Sequence, residues 1–253
     1  MHSLFLIFIS FTPIIINCFM ENEGIFSLVH NKGNLKQDIY QITYQAFQEF
    51  KNQAKELVSQ YDEFTKVNTG KRVIPFLFKD KGNFEFELIF GGDVLLFLMH
   101  TNVFEIPRTH ELMLTQYVKE DKTRSYCGLI HIYNFLADSF KYGRENDAGY
   151  LIGRLLVNKE SHYFIEGKKE IGLIFHNFQQ SILDQQAIHR IITSSVEYTV
   201  NFDLLIPPFE SVAFISVMDV LRVAQSNTMR TGKRLGFKFQ ADSKDVQGLH
   251  NDK

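Results

Sequence analysis

A chain of 253 residues, 45% apolar and 22% charged, has the make-up of a globular protein and the length for one large domain or two smaller ones. Its formal net charge of −2 excludes a whole-protein electrostatic attraction to nucleic acid or to an anionic membrane. Its two cysteines, Cys18 and Cys127, lie too far apart for a disulfide framework or a paired-cysteine zinc motif and fit a reducing compartment.

Residues 1–19 stand apart from the rest. Leu4 to Ile16 is almost wholly apolar, too short to span a bilayer as a helix, and of the length of a signal-peptide core. No Lys or Arg precedes it and no small-x-small cleavage site follows it. Three readings stay open: an upstream extension with translation starting at Met20, an export signal or lipid anchor through Cys18, and a structural segment. Membrane association rests on the second reading alone. Residues 20–225 read as one α+β domain, and residues 226–253 as a polar tail.

From Asp38 to about Tyr61, apolar residues recur at three- and four-residue spacing (Ile39, Ile42, Ala46, Phe50, Ala54, Leu57, Val58, Tyr61), which predicts a helix capped by Asn34 or Asp38. One apolar stripe then lies on a sheet. Val73 to Phe78 predicts a short strand, with Pro75 placing it at an edge or a bulge. Lys79 to Asn83 is a turn.

Phe84 to Ile106 is the strongest local signal. Two runs of β-forming residues flank Gly91-Gly92-Asp93, and the glycines supply the positive φ of a tight hairpin turn. A two-residue turn puts Phe84, Phe86, Leu88, Phe90, Leu95, Phe97 and Met99 on one dry face. The other face holds Glu85, Glu87 and Ile89 with Val94, Leu96, Leu98, His100 and Asn102. A three-residue turn sets Glu87 beside Phe97, a carboxylate among apolar groups, and is disfavoured. The second face is apolar near the turn and polar at its far end, where Glu85 comes near His100. A water-exposed edge or a Glu–His cross-strand pair accounts for that end without any chemistry.

Pro107 to Thr123 reads as a loop or short helix. Ser125 to Leu136 predicts a strand with Cys127, Leu129, His131, Tyr133 and Phe135 on one face. Ala137 to Asp147 is a loop, and Gly149 to Val157 and Ser161 to Glu166 are strands joined by Asn158-Lys159-Glu160. Glu170 to Phe178 is open between strand and helix. Asp184 caps a second helix running to Phe202, and Pro207-Pro208 stops whatever follows Leu205. Val212 to Val217 predicts a last strand and Met218 to Ala224 a short helix. The tail holds six basic residues against three acidic ones, with Leu235, Phe237 and Phe239 alternating. It reads as a frayed end or edge strand, or as a basic hook for a partner. Consecutive strands with short turns make the sheet antiparallel and meandering, with helices on one face.

No Gly-x-Ser-x-Gly elbow, phosphate-cradling Gly-rich loop or His-Glu-x-x-His occurs, and no cofactor is implied. Cys127 reads as a small buried apolar residue. His100, His131 and His162 fall on predicted strands, so three imidazoles, or two with Glu85 or Glu87, define a metal-site candidate with no signature spacing. The rival catalytic set is Glu85, Glu87, His100 and His131, serving a metal-dependent hydrolase or nuclease. The leading expectation is a non-enzymatic cytoplasmic domain that binds a protein or assembles with itself, through Ile89, Val94, Leu96 and Leu98. An envelope lipoprotein held by Cys18 is the third.

The segments Gly91 to Phe104, Tyr126 to Phe135 and Tyr150 to Lys168 resemble a conserved hypothetical family of Bacteroidota-type bacteria. The resemblance covers Asp38 to Val217. It implies a cytosolic protein starting at Met20, and assigns no activity, ligand or catalytic residue.

Overall fold

The Gly91-Gly92 turn sets the frame. Strand β2 (Glu85–Phe90) pairs antiparallel with β3 (Asp93–Glu105), Phe90 facing Asp93 and Phe86 facing Phe97. This is the two-residue turn, with Gly91 at φ 56°. Phe86 and Phe97 stack with centroids 4.5 Å apart and planes 6° apart, at the centre of the inner face.

The computed structural model describes residues 12–68, 72–145, 147–167, 177–203, 206 and 208–218, without the side chains of 12–21, 211 and 212. The readings of residues 1–11, of Glu170 to Phe178 before residue 177, of Met218 to Ala224 beyond its first residue, and of the tail fall outside these. Among the described residues no helix is long and apolar enough to cross a membrane.

The sheet is a six-stranded antiparallel meander in sequence order. Besides β2 and β3 it holds β1 (Phe76–Asp80), β4 (Tyr126–Leu136), β5 (Tyr150–Asn158) and β6 (Tyr163–Gly167). Strand β1 starts one residue after Pro75, which has no N–H to give a ladder, and forms one edge. It therefore starts at Phe76 rather than Val73, and its pairing with β2 carries it on to Asp80, two residues into the expected turn.

Helix α1 (Thr12–Val67) is far longer than the stretch its apolar spacing marks. Asn34 and Asp38 lie inside it and cap nothing. The apolar spacing fails before residue 38 because the apolar side chains described there are not buried: Ile25, Leu28 and Val29 are more than half exposed. Where α1 does cross the sheet, Ile39, Thr43, Phe47, Phe50 and Ala54 are wholly buried. Lys51 reaches down from the same stripe to Asp80 Oδ1 at 2.7 Å and the Gly82 carbonyl at 2.5 Å, and so ties α1 to the β1–β2 turn.

Helix α4 (Gln185–Val200) is capped by Asp184, whose carboxylate accepts from Ala187 N at 2.7 Å. It lies beside α1 on the same inner face, burying Ala187, Ile188, Ile191 and Ile192. The protein is thus α+β with its long helices on one face. The long β3–β4 link coils into a 3₁₀ turn (Glu111–Leu114), α2 (Gln116–Glu120) and a second 3₁₀ turn (Lys122–Ser125). The β4–β5 link opens with the short helix α3 (Ala137–Lys141), where a plain loop was expected. The expected strand Val212 to Val217 does not form: α5 (Phe209–Val212) takes its start, 213–216 are irregular and Val217 is helical.

Candidate functional site

The outer face is where sequence reasoning placed every candidate, and its two ends differ. At the far end, the β3–β4 link folds back over the sheet and buries Leu112, Tyr117 and Val118 against Cys127 and Phe164. That cover is pinned by polar bonds. Tyr117 donates its hydroxyl to Glu160 Oε2 at 2.7 Å and accepts from Asn158 Nδ2 at 2.9 Å. Arg124 donates to the other Glu160 oxygen at 2.9 Å and lies 4.3 Å from the Tyr117 ring centroid. Burial pushes the Tyr117 phenol up to about 12. Burial works to raise Glu160, but the bonds from Tyr117 and Arg124 outweigh it and hold the carboxyl below its usual range. Every group here has a partner, so the cluster acts as a clasp.

A charged row crosses the middle of the face. Register places Glu85, Leu98, His131, Arg154 and Glu166 side by side on β2 to β6. Glu166 accepts from Arg154 through one oxygen and contacts His110 Nε2 at 2.9 Å through the other. Burial lowers the His131 imidazole below its ordinary value, with Arg154 and then His100 adding to the shift. His131 is therefore held neutral near pH 7.

Of the predicted set, the structure brings His100 and His131 together on adjacent strands, where they sense each other. Glu85 faces Leu98, and His100 turns to accept from Asn102 N at 3.0 Å with its ring edge-on to Phe104. The expected Glu85–His100 pair is replaced by that local bond. Glu87 lies one row away, 4% exposed, with Lys81 at 3.1 Å and Lys79 at 3.9 Å. His162 is separate: it stacks on Tyr117, and its Nδ1 meets the Phe178 carbonyl at 3.1 Å. The three imidazoles do not converge, and among the described residues no group of three or more His, Cys, Asp or Glu is placed to hold a metal. Cys127 is buried and its thiol is pushed up by that burial, which matches its reading as an apolar filler. Asp93 lies 3.4 Å from Asn134 Nδ2 at the hairpin turn.

Sequence reasoning missed Arg154, Glu166 and His110. The first two face each other because the β5–β6 turn is centred on Glu160, whereas the expected turn, Asn158 to Glu160, is centred on Lys159 and sets Arg154 against Phe164. His110 sits in an irregular link whose path no periodicity reveals.

The near end of the face is different. Ile89, Leu96, Leu98, Tyr133 and Phe135 are only half-buried, and Leu77 (52%), Phe140 (51%) and Leu151 (39%) are exposed. Val94 leaves this set: it is 2% exposed, flanked by Ile89 and Phe135. Both long helices lie on the opposite face. Elsewhere, a shallow polar groove of about 530 Å³ separates α1 from the end of β3 beside Lys36, Tyr40 and Asn102. It gathers no acid–base pair. Comparison with protein-family models, with curated proteins and with solved structures finds no match for this chain.

Proposed function

We propose that this protein is a non-enzymatic bacterial domain that works by binding protein through the near end of its outer sheet face, in the first place a second copy of itself. The observation that carries the reading is a set of half-buried and exposed apolar side chains, Ile89, Leu96, Leu98, Tyr133 and Leu151, on a sheet face with neither long helix over it. An apolar patch of this kind marks an interaction surface. The charged row at its border supports the same reading, since a polar rim around an apolar centre is the ordinary anatomy of an interface. Hydrolysis finds less support: Glu87 is matched by two lysines and Glu166 by Arg154 and His110. The unpaired thiol of buried Cys127 supports a cytoplasmic setting.

Methyl NMR of the full chain across a dilution series tests the proposal. Signals of Ile89, Leu96 and Leu98 shift or broaden with concentration while those of the inner-face Leu88 and Leu95 do not. Outer-face signals that ignore concentration would refute it.

A further inference from the structure

The described chain ends in a second apolar surface. Between Ile206 and Met218, six large apolar side chains are 61% to 95% exposed: Ile206, Phe209, Phe214, Ile215, Val217 and Met218. Glu210 is the only charged residue in that stretch. Water-soluble chains seldom leave so much contiguous apolar surface without a use.

Its place in the fold gives it a destination. Phe202 stacks on Tyr150 with centroids 6.0 Å apart and planes 8° apart. Tyr150 opens β5 at the hairpin-turn end of the sheet, facing Asn134. The next residue, Leu151, faces Tyr133 on the outer face and is 39% exposed. The chain therefore leaves α4 on the inner side of the sheet, at the end whose outer side is uncovered. Yet within one molecule these six side chains stay exposed and do not cover the face. Pro208, with its ring-fixed φ of −54°, stiffens the start of the segment.

We propose that two copies exchange this segment, each laying Ile206 to Met218 over Ile89, Leu96, Tyr133 and Leu151 of the other. The inference rests on the binding-face reading above and names its occupant. A reciprocal exchange closes under two-fold symmetry, so it stops at a dimer. The areas agree: six such side chains at these exposures offer roughly 700 Å². Covering about two-thirds of that, with matching area on each face, buries roughly 1,900 Å² over two exchanges, the size of a stable interface. The charges agree as well. The segment carries one acid, and Lys79, 56% exposed, borders the face.

The test weighs the full chain by light scattering over a wide concentration range. The wild type runs at twice 29.5 kDa. A segment variant (Phe214→Glu with Ile215→Lys) and a face variant (Ile89→Lys) each run at 29.5 kDa at concentrations where the wild type is dimeric. The dissociation constant of the segment variant rises at least ~100-fold, since each buried Phe or Ile contributes about tenfold or more. Mixing the two variants restores a dimer, because one intact segment then meets one intact face. A synthetic peptide of residues 206–218 dissociates the wild-type dimer, a readout that does not depend on how the variants fold. Loss of the dimer in the face variant with its retention in the segment variant, or a peptide without effect, overturns the exchange and leaves the binding face standing. A wild type at 29.5 kDa throughout overturns both.

Discussion

Gly128→Ala is the sharpest test of how α1 is seated, and that seat decides which sheet face is left open. Gly128 lies on β4 under Thr43 of α1, which is wholly buried. A Cβ added there comes within 2.7 Å of the Thr43 Cβ and 2.8 Å of its Cγ2, and also onto its Oγ1. Turning χ1 moves Oγ1 and Cγ2 but not the Cβ, which is fixed to the helix backbone. Ordinary carbon contact is about 3.5–4.0 Å, so α1 must lift by roughly 1 Å, and a gap of that size forfeits a quarter to a half of each contact. Overpacking of this kind costs about 1–3 kcal/mol, and the upper half of that range applies because a backbone has to move. Replacing Gly in a strand returns about 0.5–1 kcal/mol of chain entropy. The net loss is ~2 kcal/mol, or about 4–8 °C in Tm for a chain of this size. Urea unfolding of the wild type, Gly128→Ala, Thr43→Gly and the double variant measures it. Thr43→Gly removes all three clashing atoms, so the double variant loses at least ~1 kcal/mol less than the two singles added together. A Gly128→Ala within ~0.5 kcal/mol of wild type, or two losses that simply add, would show that α1 does not press on β4 at this point.

Two further outcomes follow. His131 titrates below its ordinary value, so the unfolded chain binds the proton more readily and stability falls as pH drops through about 6.5. NMR titration reads this directly; an apparent value at or above 6.5 contradicts the burial argument, and Arg154→Gln moves the value up but not to normal, because burial is the larger cause. Cys127, buried with its thiol pushed up, resists a thiol-specific reagent at pH 8 in the native protein and reacts on unfolding; native labelling at the rate of a free thiol means that the β3–β4 cover opens.

The sheet was legible because its strands obey a period of two with one face dry. Phe86, Leu88 and Phe90 against Leu95, Phe97 and Met99 fix one register, since any slip buries Glu87 among rings. Helix α4 was legible from its Asp184 cap and its stripe. What stayed hidden has two causes. In the arm before residue 38, Ile25, Phe26, Leu28 and Val29 are more than half exposed and follow no buried stripe, and Gly24 and Gly33 argue against a helix, each tolerated at about 1 kcal/mol. The clasp of Tyr117, Glu160 and Arg124 joins residues some forty apart through an irregular link, whose path depends on tertiary packing. Glu85 and Glu87 drew attention as acidic residues on an apolar strand. Glu87 is there because β1 brings Lys79 beside it and the turn brings Lys81, a pairing invisible until β1 has a register.

Coverage of the outer face follows from loop length at each end of the meander. At the far end the β3–β4 link has some twenty residues, enough to fold back and build a second core on Cys127 and Phe164. At the near end β2 and β3 are joined by two glycines, which have no side chain to lay over the face. The β4–β5 link at that end gives α3, whose Phe140 meets the ring of Phe135 and goes no further than the border. Among the described residues, neither the β2–β3 turn nor α3 covers Ile89, Leu96 and Leu151, while the segment after α4 carries exposed apolar residues. On the exchange proposed above, cover for this half of the sheet comes from a second copy, through the exposed apolar residues between Ile206 and Met218.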